Sequence, residues 1–106
     1  MPENWCTIFQ KAELAAQYNQ WKDVIVLWNT AQSKGLYPAY GAEYLPFIRA
    51  YLGTQNYLEA QALIEAANRI TSSQAMRQTL CRPWLEAEIM EPAIKSEVTE
   101  LLKCQP

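Results

Sequence analysis

The sequence predicts an all-α chain, an α-α superhelix of about three antiparallel helical hairpins, and three observations carry that expectation. Apolar residues recur at three- and four-residue steps along most of the chain, with no strand-like alternation to compete. Gly is scarce, at three residues in 106, whereas Ala, Leu, Glu, Gln and Lys, all good helix formers, are plentiful. The chain also resembles itself: Lys11 to Gln32 can be laid over Phe47 to Asn68, a shift of 47 − 11 = 36 residues.

The first helix is expected from about Glu3 to Tyr18, with Trp5, Ile8, Phe9, Ala12, Ala15 and Ala16 on its apolar face. Asn19-Gln20 breaks the pattern, and a second helix begins near Trp21 with Val24, Ile25, Leu27, Trp28 and Ala31 inward. Gly35 after Lys34 reads as a left-handed cap. Leu36 to Gly41 is a linker, and a third helix follows from Ala42 to Leu52, with Pro46 tolerable only in its first turn. Gly53 to Asn56 is the next break, before a fourth helix from Tyr57 to Ile70. Thr71-Ser72-Ser73 offers a cap for a fifth helix reaching Met90, with a kink or a division into two short helices at Pro83. Glu91-Pro92 restarts the chain, and a last helix runs to Lys103 on Ile94, Val98, Leu101 and Leu102. Residues 1–106 thus read as a single domain of three units, about 3–35, 42–70 and 73–103.

In the 36-residue alignment Trp21 falls on Tyr57, Asp23 on Glu59, Val24 on Ala60, Leu27 on Leu63, Trp28 on Ile64 and Ala31 on Ala67. A lone hairpin this short cannot bury its own apolar face, so such units must stack and share a core. Ala12, Ala31, Ala60 and Ala67 are the small residues expected where helices cross closely. Trp21, Trp28, Tyr51 and Tyr57 are expected to fill the wider gaps.

Composition excludes several functions. Half the residues are apolar and 19% are charged, which suits a folded domain. The net charge is −2 and the nine Lys and Arg residues are scattered, so no basic cluster exists to neutralise phosphates or to lie on a membrane surface. No apolar run has the length of a membrane span, and Met1-Pro2-Glu3-Asn4 lacks the basic start and apolar core of a signal peptide. Absence of His removes most metal sites and most nucleophile–base pairs.

Cys6, Cys81 and Cys104 are odd in number and far apart, and are read as reduced, buried or half-buried apolar groups in a cytoplasmic or otherwise reducing compartment. Arg82 lies beside Cys81, and a neighbouring cation can lower a thiol pKa, but there is no His to act as base. Glu86 with Glu88, and Glu97 with Glu100, read as solvated surface, and three isolated Gly residues make no phosphate loop. No catalytic residue, cofactor or metal is expected, and the chain is not read as an enzyme. Trp5, Trp84 and Tyr40 are candidates for an exposed dimer face.

Ala12, Trp21, Asp23, Val24, Trp28 and Ala31, and then Tyr51, Tyr57, Glu59, Ala60, Ile64 and Ala67, resemble the tetratricopeptide repeat, whose length is about 34 residues. The likeness covers residues 5–70; residues 73–103 fit as a degenerate third hairpin or cap. Ile48 stands where that family usually places a small residue, and the closing Pro is displaced to Pro38 in the first unit and missing from the second. The resemblance implies a concave groove lined by the first helix of each hairpin, presenting Cys6, Phe9, Glu13 and Gln17, then Leu45, Arg49 and Leu52. It implies a scaffold that binds a protein or peptide there, with no nucleic acid and no membrane insertion. Phe9, Glu13 and Pro46 stand where a basic clamp for a terminal carboxylate would be sought, so capture of a chain's C-terminus is not implied. A second likeness lies in Trp5 to Ala15, Leu45 to Ile48 and Cys81 to Trp84, which are similar to soluble tails of bacterial mannosyltransferase-like polytopic membrane proteins. It implies an accessory domain tethered to a membrane through a parent chain that carries the catalytic chemistry.

Overall fold

A computed structural model describes residues 4–87 and 92–104. Its helices are α1 (Trp5–Gln17), α2 (Trp21–Ser33), α3 (Leu45–Gly53), α4 (Tyr57–Arg69), α5 (Gln74–Glu86) and α6 (Pro92–Leu102), with a 3₁₀ turn at Gly41–Tyr44. No strand occurs among the described residues. The chain is all-helical, as its periodicity predicts. Glu3, Glu88, and the expected end of the fifth helix at Met90 with its restart at Glu91 lie outside the described residues.

Local chemistry sets the ends. Asn4 Oδ1 accepts from the Thr7 backbone N–H at 3.0 Å and starts α1. Ser73 Oγ does the same for Met76 at 3.3 Å and starts α5. Gly35 has φ +68°, and Leu36 N–H returns to Ala31 C=O at 2.9 Å, the left-handed cap expected after α2. Two expectations need correction. The third helix does not run as one α-helix from Ala42: Pro46 lacks an N–H, and its ring would clash with the carbonyl four residues back, so the first turn winds as 3₁₀ before α3 begins. Pro83 does not divide the fifth helix into two: α5 runs unbroken through it from Gln74 to Glu86.

The 36-residue relation is written into the backbone. Asn19 and Gln55 both have positive φ, 55° and 63°, an uncommon state for residues with a Cβ. Gln20 N–H bonds Ala15 C=O at 3.0 Å, and Asn56 N–H bonds Tyr51 C=O at 2.8 Å. Asn19 N–H to Ala16 C=O and Gln55 N–H to Leu52 C=O match as well, both at 3.1 Å. The same turn, closing the same orphan carbonyls, is built twice.

Burial follows the same register. Ile8, Ala12, Ala15, Val24, Trp28 and Ala31 are buried, and so are their counterparts Tyr44, Ile48, Tyr51, Ala60, Ile64 and Ala67. Side-chain size is exchanged between the two helices of a hairpin. Where Ala12 and Ala15 become the larger Ile48 and Tyr51, Val24 and Trp28 become the smaller Ala60 and Ile64. The bulky Ile48 thus goes with smaller buried residues on α4, the helix α3 packs against.

The first two hairpins are joined by an aromatic seam. Phe47 lies 4.9 Å from Trp28 and 5.6 Å from Trp5, between ring centroids, and Tyr44 lies 5.7 Å from Trp28. Such pairs each contribute about 0.5–1.5 kcal/mol beyond area burial. Trp5, a candidate for exposure, is instead half-buried in this cluster.

The third hairpin keeps the register in α5 and loses it in α6. Leu80 and Trp84 are buried 36 residues after Tyr44 and Ile48 (80 − 44 and 84 − 48). The buried residues of α6, however, are Ile94 and Val98, two short of that spacing from Ala60 and Ile64, and Leu102, one short of it from Ala67. α6 packs chiefly on α4 and α5, while α5 also rests on α3 and the 3₁₀ turn. Trp84, expected as a candidate for exposure, is fully buried and donates its indole N–H to Lys95 C=O at 3.2 Å. Arg77 ties the preceding turn to α4, donating to Asn68 Oδ1 at 2.9 Å and Thr71 C=O at 2.8 Å. Gln61 donates to Glu97 at 3.0 Å across α4 and α6.

Cys81 and Cys104 form a disulfide, with Cα atoms 5.7 Å apart across 23 positions of sequence. That corrects the reading of both as reduced thiols: separation along the chain hid that the α5–α6 hairpin folds one back beside the other. Cys6 is exposed, not buried. Closing a loop of 23 residues stabilises the fold by about 3 kcal/mol through the entropy of the unfolded chain. Replacing Cys104 by Ser, or adding reductant, should therefore lower the unfolding free energy by about that amount, read as a fall in the urea midpoint; an unchanged midpoint would contradict the cross-link.

Burial raises the Tyr44 phenol, with Arg69 pulling down and Tyr37 pushing up, and burial with Glu59 raises Tyr51. Above pH of about 10 the unfolded chain loses these protons before the folded one, so stability falls as pH rises through that range. The Tyr44→Phe/Tyr51→Phe double variant should lose less stability than the native chain between pH of about 9 and about 11, measured by urea unfolding.

Candidate functional site

α3 lies between α1 and α5, and its solvent side carries the features most suited to binding. Leu45 and Leu52 are half-buried at the edge of the core, and Arg49 between them is exposed. Three- and four-residue spacing puts all three on one flank of α3. Two clefts open along this flank. The wider, of about 840 Å³, is bounded by Trp21, Arg49, Leu52, Tyr57, Pro83 and Glu86. The narrower, of about 380 Å³, lies between α3 and α5 and is bounded by Leu45, Arg49, Gln78, Thr79 and Arg82. Arg49 borders both, so the two make one furrow.

Six residues are the sequence-level candidates for a groove: Phe9, Glu13, Gln17, Leu45, Arg49 and Leu52. The structure brings Leu45, Arg49 and Leu52 together around this furrow. It does not bring Phe9, Glu13 and Gln17 to it. Phe9 is half-buried and stacked on Trp5 at 6.1 Å, while Glu13 and Gln17 are exposed on α1 and border neither cleft. The missing wall comes instead from Gln78, Thr79, Arg82 and Glu86 of α5 and from Trp21 and Tyr57, which open α2 and α4. The repeat could have pointed to Trp21 and Tyr57, since they are 36-residue counterparts at the same helix start. Arg82 was legible only once α5 was placed beside α3.

The furrow has a polar end and an aromatic end. Neither Arg49 nor Arg82 has a hydrogen-bond or ion-pair partner among the described residues. Glu86 is one turn from Arg82 along α5 but borders the wider cleft only. Each guanidinium offers five donors in a planar fork suited to a carboxylate or other planar oxyanion. Trp21 and Tyr57 supply large apolar faces with a polar tip. Among the described residues no group of three or more His, Cys, Asp or Glu side chains is placed to hold a metal ion, and no helix is long and apolar enough to cross a membrane.

No protein-family model, no curated protein and no solved structure matches the chain.

One wall of the furrow depends on a glycine. A Cβ at Gly53 would lie 2.5 Å from Trp21 Cδ1 and 2.9 Å from Cε2, so the indole rests directly on the α3 backbone. Gly53→Ala should displace Trp21, costing about 1–3 kcal/mol in stability and red-shifting tryptophan emission. Unchanged emission and an unchanged urea midpoint would refute that placement.

Proposed function

We propose that the chain is a non-catalytic interaction module of the tetratricopeptide-like kind, a scaffold that holds a peptide or a neighbouring domain along the α3–α5 furrow. One observation carries the reading: two guanidiniums without a partner among the described residues and two half-buried aromatic side chains border adjoining clefts lined from α2, α3, α4 and α5. Arg and aromatic residues are the types that dominate binding energy at protein interfaces. An extended or helical segment laid along such a groove uses apolar anchors for affinity and a few polar groups for register.

The groove differs from the one implied by the repeat resemblance alone. It is displaced away from α1 and toward α5, so Glu13 and Gln17 stand outside it.

Selection of peptides from an unbiased displayed library against the full chain tests the reading. Selected peptides should bind the native chain and lose at least about tenfold in affinity to Arg49→Glu, while Glu13→Lys leaves affinity unchanged and circular dichroism shows both variants folded. Peptides that ignore Arg49→Glu and respond to Glu13→Lys would move the site to α1. Failure to select any peptide would remove the module reading.

A further inference from the structure

We infer that the furrow is selective for acidic segments: an internal Glu or Asp side chain of the partner seats between Arg49 and Arg82, with a neighbouring apolar side chain on Trp21 and Tyr57. This rests on the interaction-module reading and specifies its ligand.

The argument is one of charge and geometry. The chain carries a net charge of −2, with 11 acidic and nine basic residues. Three of those acids, Glu3, Glu88 and Glu91, lie outside the described residues, so eight acids and nine bases are in a position to line a cleft. Among the described residues the narrower cleft shows two arginines and two neutral polar residues, Gln78 and Thr79, and no carboxylate. The arginines come from different helices, α3 and α5, so their convergence is a product of tertiary packing and not of a local run. An arginine pair facing one cleft, with no counter-ion among the described residues, repels itself and is relieved by a bound carboxylate, which accepts two N–H bonds from each planar fork.

The ends of the furrow also differ in charge: the narrower cleft has two arginines, whereas the wider sets Glu86 against Arg49, beside Trp21, Tyr57 and Pro83. Glu86 disfavours a second acid there and leaves the aromatic end to an apolar side chain. The pattern read by the furrow is therefore an acid followed closely by an apolar residue. No chain terminus is needed, since neither cleft requires the partner's end.

The probe is a blocked hexapeptide, acetyl-Gly-Glu-Glu-Leu-Leu-Gly-amide, titrated into the ¹⁵N-labelled full chain. A second probe has both glutamates replaced by glutamine. Side-chain Nε–Hε signals of Arg49 and Arg82 and the indole signal of Trp21 should shift saturably with the acidic peptide. Arg49→Gln and Arg82→Gln should each weaken binding about three- to tenfold. Raising salt from about 0.05 M to about 0.5 M should weaken it further. Equal binding of the glutamine peptide overturns the acidic preference while leaving the groove standing. Absence of a saturable shift with the acidic peptide overturns the inference as well, and the unbiased peptide selection then decides separately whether the module reading survives.

Discussion

The rest of the fold depends on Phe47 lying against Trp28 and Trp5. Each of the first two hairpins has an apolar face that it cannot cover by itself, and this cluster is where one hairpin covers the other. Because Phe47 is on α3, its packing fixes the rotation of α3 about its axis. That rotation in turn decides that Arg49, two residues on, faces water and not the core. The furrow is thus a consequence of the core: the apolar side of α3 is committed, and its opposite flank is left facing solvent.

The hairpins, the turn at Asn19 and its copy at Gln55 were legible because they depend on local pattern. Apolar spacing selects the buried face, and the expected crossing residues Ala12, Ala31, Ala60 and Ala67 are all fully buried. What local pattern could not give was anything set by how one element lies on another. Ile48 looks like a fault in the repeat until Ala60 and Ile64 are seen to be smaller than their counterparts. Trp84 and Trp5 look available for a partner because a terminal unit often leaves apolar edges open, yet both are taken up internally. The Cys81–Cys104 bond belongs to the same class, since its partners meet only through the α5–α6 hairpin.

The candidate site divides in the same way. Leu45, Arg49 and Leu52 share a helix flank, which sequence spacing predicts directly. The α1 residues Phe9, Glu13 and Gln17 were grouped with them through the geometry of a regular stack. Here the furrow follows α5 instead, because α5 contributes a polar flank next to α3 that no repeat-based register could identify. The third hairpin is where regularity stops: α5 obeys the 36-residue phase and α6 runs one to two residues ahead of it.

Exchange of bulk between paired helices has an evolutionary consequence. Because the buried Ala12 and Trp28 of one hairpin stand where the buried Ile48 and Ile64 stand in the other, a change of volume at any of these positions is not neutral on its own. Enlarging one side chain opens a viable path only when its opposite number shrinks. Substitutions in this chain should therefore travel in couples across helices, and the outward appearance of the repeat can decay while the volume enclosed by each hairpin is kept.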